Sequence, residues 1–259
     1  MPRRQSVSGE DELSRLVELG FSEQFVKRLR SAGIRSLAQV TLFNEEELVE
    51  LLSLSDPEPA RRLIATVREL LGLGPRGRTG REVIEEVSRM PVVRTGVEGL
   101  DNAVGGLRFG ASHEFAGEFG AGKTIMALQV AVAAAAQLGV RVIYIDTERT
   151  LSQYLTSQLI KNLCNRFGID YDGFINERLI VYTPATVDDL ETSIKSSVTD
   201  QSLNNNARVI IVDSITALYR AQFRGRERLA ERQQRLHYVL DWLRRLTIRL
   251  GCWWSTLIK

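Results

Sequence analysis

The sequence predicts an α/β core with a parallel-rich sheet, preceded by a small all-α domain. Three observations carry that reading. Residues 12–71 show only helical periodicity, and residues 72–80 then place four glycines and a proline in nine positions. From residue 81 onward, short β-branched runs alternate with helical stretches, as in a parallel sheet with crossover helices. The chain has 259 residues, 44% hydrophobic and 25% charged, a normal globular mixture that excludes the disordered and fibrous classes. The expected division is a helical domain at 1–71, a linker at 72–80 and the core at 81–259.

In the first domain the apolar positions fall in helical groups: Leu13, Leu16, Val17 and Leu19; Phe25, Val26 and Leu29; Leu48, Leu51 and Leu52; Leu63, Ile64, Val67, Leu70 and Leu71. Gly20, Gly33 with Ile34, Asn44, and Asp56 to Pro59 separate them, so four or five short helices are expected. A bundle of about 60 residues buries only a thin core. In the second domain, Glu82 to Met90, Thr124 to Leu138, Ser152 to Phe167 and Val187 to Thr199 read as helices. His113 to Ala116, Val140 to Ile145 and Arg208 to Val212 read as strands. The last two are β-branched runs followed by an acid, the pattern of parallel strands buried on both faces. Ser202 to Asn206 reads as a polar loop.

Two cysteines, Cys164 and Cys252, are too few for a disulfide framework, and His113 and His237 stand alone, so no metal-ligand spacing is present. The longest apolar stretch, Met126 to Val140, is broken by Gln129 and Gln137, and Arg3 and Arg4 precede no apolar segment. A cytoplasmic protein with no membrane partner is expected. Net charge is +2, but residues 1–80 balance 12 Lys/Arg against 12 Asp/Glu, whereas residues 220–249 hold nine arginines against three acids. The positive charge is local.

The chemistry sits in Gly117-Glu118-Phe119-Gly120-Ala121-Gly122-Lys123-Thr124, which fits G-x-x-x-x-G-K-[ST] with one further glycine. Gly117, Gly120 and Gly122 allow the backbone to turn its N–H groups around a phosphate. Lys123 supplies a point charge to the β and γ phosphates, and the Thr124 hydroxyl suits Mg²⁺. The helix opening here adds its positive end. Asp213, closing the run Val209 to Val212, is placed to hold the same magnesium shell, or else to cap the next helix. Glu148, after the strand Val142 to Ile145, is a candidate general base for the attacking water, or a solvated strand-end acid.

With these residues in hand the chain resembles the RadA group of the RecA superfamily, the strand-exchange recombinases. Arg94-Thr95-Gly96-Val97-Glu98-Gly99-Leu100-Asp101 with Gly105-Gly106 is similar to the family's entrance to the core. Gly117-Glu118-Phe119 matches its wording of the P-loop, and Val212 to Arg220 resembles its Walker B strand and the segment after it. The resemblance implies a RecA-like ATPase core using ATP and Mg²⁺, with Lys123 and Glu148 catalytic. Residues 117–124 with Asp213 would bind the nucleotide, and Thr124 and Asp213 the metal. It also implies single- and double-stranded DNA as partners, self-association or docking on a recombinase subunit, and a place at the nucleoid. The basic stretch is similar to the family's first DNA-binding loop, giving Arg220, Arg224, Arg226, Arg232 and Gln233 as DNA-binding residues. Phe223 is a candidate for stacking on a base; a solvated arginine-rich helix start is the other reading.

Several departures accompany the resemblance. The N-terminal bundle is similar to the family's helix-hairpin-helix domain at Gly33-Ile34 and Leu37. However, Gly20-Phe21-Ser22-Glu23 and Ser53 to Pro57 put acids and a proline where phosphate-binding amides are expected, which points to weak DNA binding or to protein docking. Gly77 and Gly80 fall where the family's linker carries Phe-x-x-Ala, an anchor worth about 2 kcal/mol or more at an interface. Glu148-Arg149-Thr150-Leu151-Ser152 replaces E-G-T-F-R, so a turn glycine has become Arg149 and the arginine that stacks on adenine is missing. At residues 251–259 only Thr256 matches the family's strand ending in Thr-Asn-Gln. The C-terminal part of the core is therefore expected to be missing or diverged, leaving the strand of Ile211 with a neighbour absent or poorly formed. These departures keep open an alternative, a non-filamentous paralogue that binds ATP as an accessory factor.

Overall fold

The computed structural model describes residues 9–74, 77–250 and 252–258, and the chain divides into two compact units, Met1–Thr79 and Gly80–Lys259. Among the described residues no helix is long and apolar enough to cross a membrane.

Among its described residues the first unit holds five helices: α1 (Gly9–Glu18), α2 (Glu23–Ser31), α3 (Leu37–Val40), α4 (Glu45–Leu51) and α5 (Glu58–Leu70). Their apolar stripes meet in one core in which Leu16, Leu29, Ile34, Leu48, Leu63 and Val67 are fully buried. Short polar side chains start the helices by accepting orphan amides. Ser22 accepts from the Phe25 amide and Ser36 from that of Gln39, while Asn44 and Glu47 close a reciprocal capping box.

The second unit opens with α6 (Gly80–Ser88), β1 (Val92–Val93), α7 (Glu98–Val104) and β2 (Leu107–Arg108), the two strands pairing antiparallel. Then come β3 (Ser112–Ala116), α8 (Lys123–Leu138), β4 (Arg141–Asp146), α9 (Tyr154–Phe167), the short α10 (Tyr171–Gly173) and β5 (Leu179–Tyr182). The chain continues through α11 (Val187–Ser193), α12 (Thr199–Asn204), β6 (Ala207–Asp213), α13 (Ala217–Gln222), α14 (Leu229–Leu250) and β7 (Trp253–Ile258). Five strands form one all-parallel sheet in the order β3-β7-β6-β4-β5. The alanine-rich middle of α8 lies against one face, with Val142, Tyr144, Val209 and Ile211 in the shared core. By alternation Ile143, Ile145, Ile210 and Val212 face the other side and are equally buried, and α12 and α14 pack against β6 and β7.

Four differences from the sequence expectation have physical reasons. First, β6 has neighbours on both sides. β7 pairs with it from Val209↔Trp253 to Asp213↔Leu257, and with β3 from Ser112↔Trp254 to Ala116↔Ile258, so the expected gap beside Ile211 does not exist. Second, residues 202–204 are helical. The chain runs from α11 through a wide π-type turn at Ile194–Val198 into α12, and Ser202 is buried because its hydroxyl donates to the Val198 carbonyl at 2.9 Å. Third, β5, β1 and β2 had no counterpart in the reading, and the helix expected at Glu82 to Met90 begins two residues earlier. Fourth, Arg232 and Gln233 lie on α14, a helix of 22 residues, and not in a loop.

The block from Arg94 to Gly106 is architectural. The Asp101 carboxylate accepts from the Thr95 amide and hydroxyl and the Gly96 amide at 2.8–3.0 Å, and Gln129 on α8 donates to the Thr95 carbonyl at 2.6 Å. Gly106, at φ 89, brings its backbone against Val92 and the Val93 carbonyl, where a Cβ would collide.

Candidate nucleotide site and basic loop

At the carboxyl end of β3 the chain turns through residues 117–122 into α8. Gly120 and Gly122 have φ of 79 and 84, which only glycine adopts without strain, whereas Gly117 has room for a Cβ and no left-handed backbone. The tight turn therefore rests on two of the three glycines. Phe119 projects from the loop, 89% exposed. Lys123 is buried, and its ammonium donates to the Gly117 and Glu118 carbonyls at 2.8 and 2.6 Å, so its charge sits inside the loop.

Thr124, in the first turn of α8, donates its hydroxyl to Asp213 Oδ2 at 2.7 Å, across 89 residues of sequence. Asp213 is 1% exposed at the end of β6 and takes a second hydrogen bond on the same oxygen, from Tyr144 on β4 at 2.9 Å. Its other oxygen, Oδ1, is buried without a hydrogen-bond partner among the described residues. A buried carboxylate oxygen left open beside a threonine hydroxyl is a donor set that a hard divalent cation fits. Burial, followed by the charges of Glu148 and Asp146, pushes the Asp213 carboxyl up against the opposing hydrogen bonds from Thr124 and Tyr144.

Glu148 lies in the loop after β4, half-buried, with Oε1 3.4 Å from the Ser214 hydroxyl. That loop is fastened to the end of β6, where the Thr147 amide and hydroxyl donate to the Asp213 carbonyl and the Ser214 amide donates to Thr147 Oγ1. Sequence reasoning missed Asp146, which is 1% exposed and folds the same loop by accepting from the Thr150 amide and hydroxyl and the Leu151 amide. A strand-final acid followed by Thr and a further acid is the signal that was available. Arg149, at the position read as a lost turn glycine, has φ 57 and pays the strain a glycine would avoid.

The structure thus brings together residues 117–124, Asp213 and Glu148. The basic residues form a second group. Arg220 is exposed at the end of α13, Arg224 and Arg226 are exposed in the loop that follows, and Arg232 and Gln233 lie on the first turns of α14. Phe223 does not belong with them. It is 1% exposed, stacked on Tyr219 with ring centroids 6.4 Å apart, and has the Arg228 and Arg235 guanidinium groups 4.5 and 5.5 Å from its centroid. Arg235 is held in turn by Glu191 at 2.8 Å and by Asp188, and Arg228 by Glu231. Phe223 is therefore a core residue at the root of the loop, its ring enclosed by a tyrosine and two cations.

In the first unit, side chains already take one amide at the start of α2 and one at the start of α5. Ser22 takes the Phe25 amide, Asp56 takes the Glu58 amide at 2.9 Å, and the Arg62 guanidinium donates to the Leu19 carbonyl beside Gly20.

A family model described as Rad51 matches residues 87–252, a span that includes the P-loop, the loop after β4, Asp213 and the basic segment.

Proposed function

The chain belongs to the Rad51 family, and from that premise we propose that it is a RadA-type, DNA-dependent ATPase of homologous recombination and DNA repair. Members of this family are DNA-dependent ATPases that use ATP with Mg²⁺, bind DNA and form oligomers. One observation supports the reading above the rest: the P-loop threonine and the β6 aspartate meet at 2.7 Å while Asp213 Oδ1 is left open.

In this reading the amides of residues 117–122 and the Lys123 ammonium hold the β and γ phosphates, with Glu118, Phe119 and Ala121 lining the turn. Thr124 and Asp213 hold Mg²⁺, which when bound neutralises charge on the phosphates. Glu148 orients the attacking water and takes its proton, which its tether to the end of β6 suits. Arg220, Arg224, Arg226, Arg232 and Gln233 contact the backbone of single- and double-stranded DNA, and self-association aligns the loops for strand exchange. The helical first unit is a weak DNA binder or a protein-docking module, since acids and a proline stand at the hairpin positions where phosphate-binding amides are expected.

A second reading is an ATP-binding accessory paralogue that does not form filaments. Gly77 before α6, Gly80 at its first position and the left-handed Arg149 support it. Filter binding of single-stranded DNA separates the proposal from its failure. Salt-sensitive binding that strengthens with ATP and Mg²⁺, and that Lys123→Ala abolishes, is expected. Binding indifferent to nucleotide would remove the recombinase reading, and sizing with ATP and DNA then tells filaments from a discrete accessory protein.

A further inference from the structure

We propose that Tyr144 is a positioning residue for the magnesium-bound nucleotide, holding the plane of the Asp213 carboxylate so that one oxygen stays open to the cation. The inference rests on the nucleotide reading above and extends it to a residue in the middle of a core strand.

Tyr144 is 0% exposed, in a layer otherwise built of Val142, Val209, Ile211 and the alanines of α8. A phenol in such a layer costs its hydroxyl the hydration it had in water, unless a partner replaces it. The partner is Asp213 Oδ2, at 2.9 Å. The parallel register explains the reach: Tyr144 pairs with Ile211 and Asp146 with Asp213, so the ring lies two residues below the carboxylate on the adjoining strand. Thr124 donates to that same Oδ2 at 2.7 Å. Two O–H donors thus converge on one oxygen, and the other oxygen has none.

That asymmetry has a consequence for metal binding. The terminal torsion of an aspartate is broad, so a carboxylate held by one donor tilts its plane at little cost. With donors from both β4 and α8 on Oδ2, tilting the plane strains two hydrogen bonds to a charged acceptor. Oδ1 therefore stays the open acceptor, and Thr124, having placed its proton on Oδ2, keeps its lone pairs free. The tyrosine touches neither phosphate nor metal, so it acts through the aspartate.

Tyr144→Phe keeps the ring and removes only the hydroxyl. The measurement is the Mg²⁺ concentration that gives half-maximal binding of a fluorescent ATP analogue, with binding in EDTA and the urea midpoint recorded beside it. Losing one hydrogen bond to a charged group predicts a midpoint raised about tenfold, with binding in EDTA unchanged. A purely structural tyrosine would lower the urea midpoint and leave the Mg²⁺ midpoint where it was, and that result overturns the proposal. If the variant does not fold, 3-fluorotyrosine placed at 144 supplies the readout. Its ¹⁹F resonance should move when Mg²⁺ is added to the nucleotide complex, and an unmoved resonance overturns the proposal too. Wild-type chain that binds no nucleotide at any Mg²⁺ concentration removes the nucleotide reading itself, a failure distinct from an unchanged variant.

Discussion

Phe223→Ala is the most informative substitution, because the two roles open to this residue predict opposite results. A fully buried phenylalanine reduced to alanine costs about 3–5 kcal/mol. The site argues for the middle of that range. The ring has Tyr219 on one side at 6.4 Å and two guanidinium groups at 4.5 and 5.5 Å, each cation worth about 0.5–1 kcal/mol where it is partly exposed. The three tryptophans, Trp242, Trp253 and Trp254, all belong to the second unit, so tryptophan fluorescence in urea follows the core without interference from the helical unit. With a urea slope near the top of the usual range, about 3 kcal/mol per molar, a loss of about 4 kcal/mol moves the midpoint down by more than about 1 M. An unchanged midpoint together with at least tenfold weaker binding of single-stranded DNA would falsify the burial argument and return Phe223 to the role of a base-stacking side chain.

Arg149→Gly should raise stability by about 0.5–1 kcal/mol, since glycine adopts φ 57 without the Cβ clash, even though its unfolded state is freer; a lower urea midpoint would show that the Arg149 side chain holds the loop. Arg226→Ala and Arg232→Ala should each weaken DNA binding for all sequences and flatten the salt dependence by about one unit of slope. Either variant leaving that slope intact would take its arginine out of the contact set. Arg235→Ala should cost about 3 kcal/mol or more, because it strands the half-buried Glu191 carboxylate that Tyr219 also contacts. Chemical denaturation measures it, and a change under about 1 kcal/mol would mean that the network is a surface ion pair.

The phosphate loop was legible in the sequence because its residue types are fixed by backbone geometry and charge, and Asp213 because four β-branched residues point to one strand end. The threonine–aspartate contact follows once both are placed. What the sequence hid was decided by tertiary partners. Phe223 among arginines reads as a nucleic-acid contact until Tyr219 and Arg235 are seen to enclose it. Ser202 reads as loop because nothing in the local composition shows that Val198 will take its hydroxyl. β5 escaped notice because Leu179 to Tyr182 is a short edge strand with Val181 43% exposed, entered from a π-type turn and not from a glycine or proline. Tyr144 carries no local signal within the strand expected at Val142 to Ile145. Its hydroxyl gains meaning only when the register sets it beside Asp213.

In the proposed function Lys123, Thr124 and Asp213 converge on a magnesium-bound triphosphate. Isothermal calorimetry of ATP into the purified chain, with Mg²⁺ and with EDTA, and repeated with Lys123→Ala and Asp213→Asn, tests it most directly. One site per chain is expected, lost in Lys123→Ala and no longer responsive to Mg²⁺ in Asp213→Asn. Heat-silent wild type, or binding that both variants retain with the same Mg²⁺ response, would contradict it.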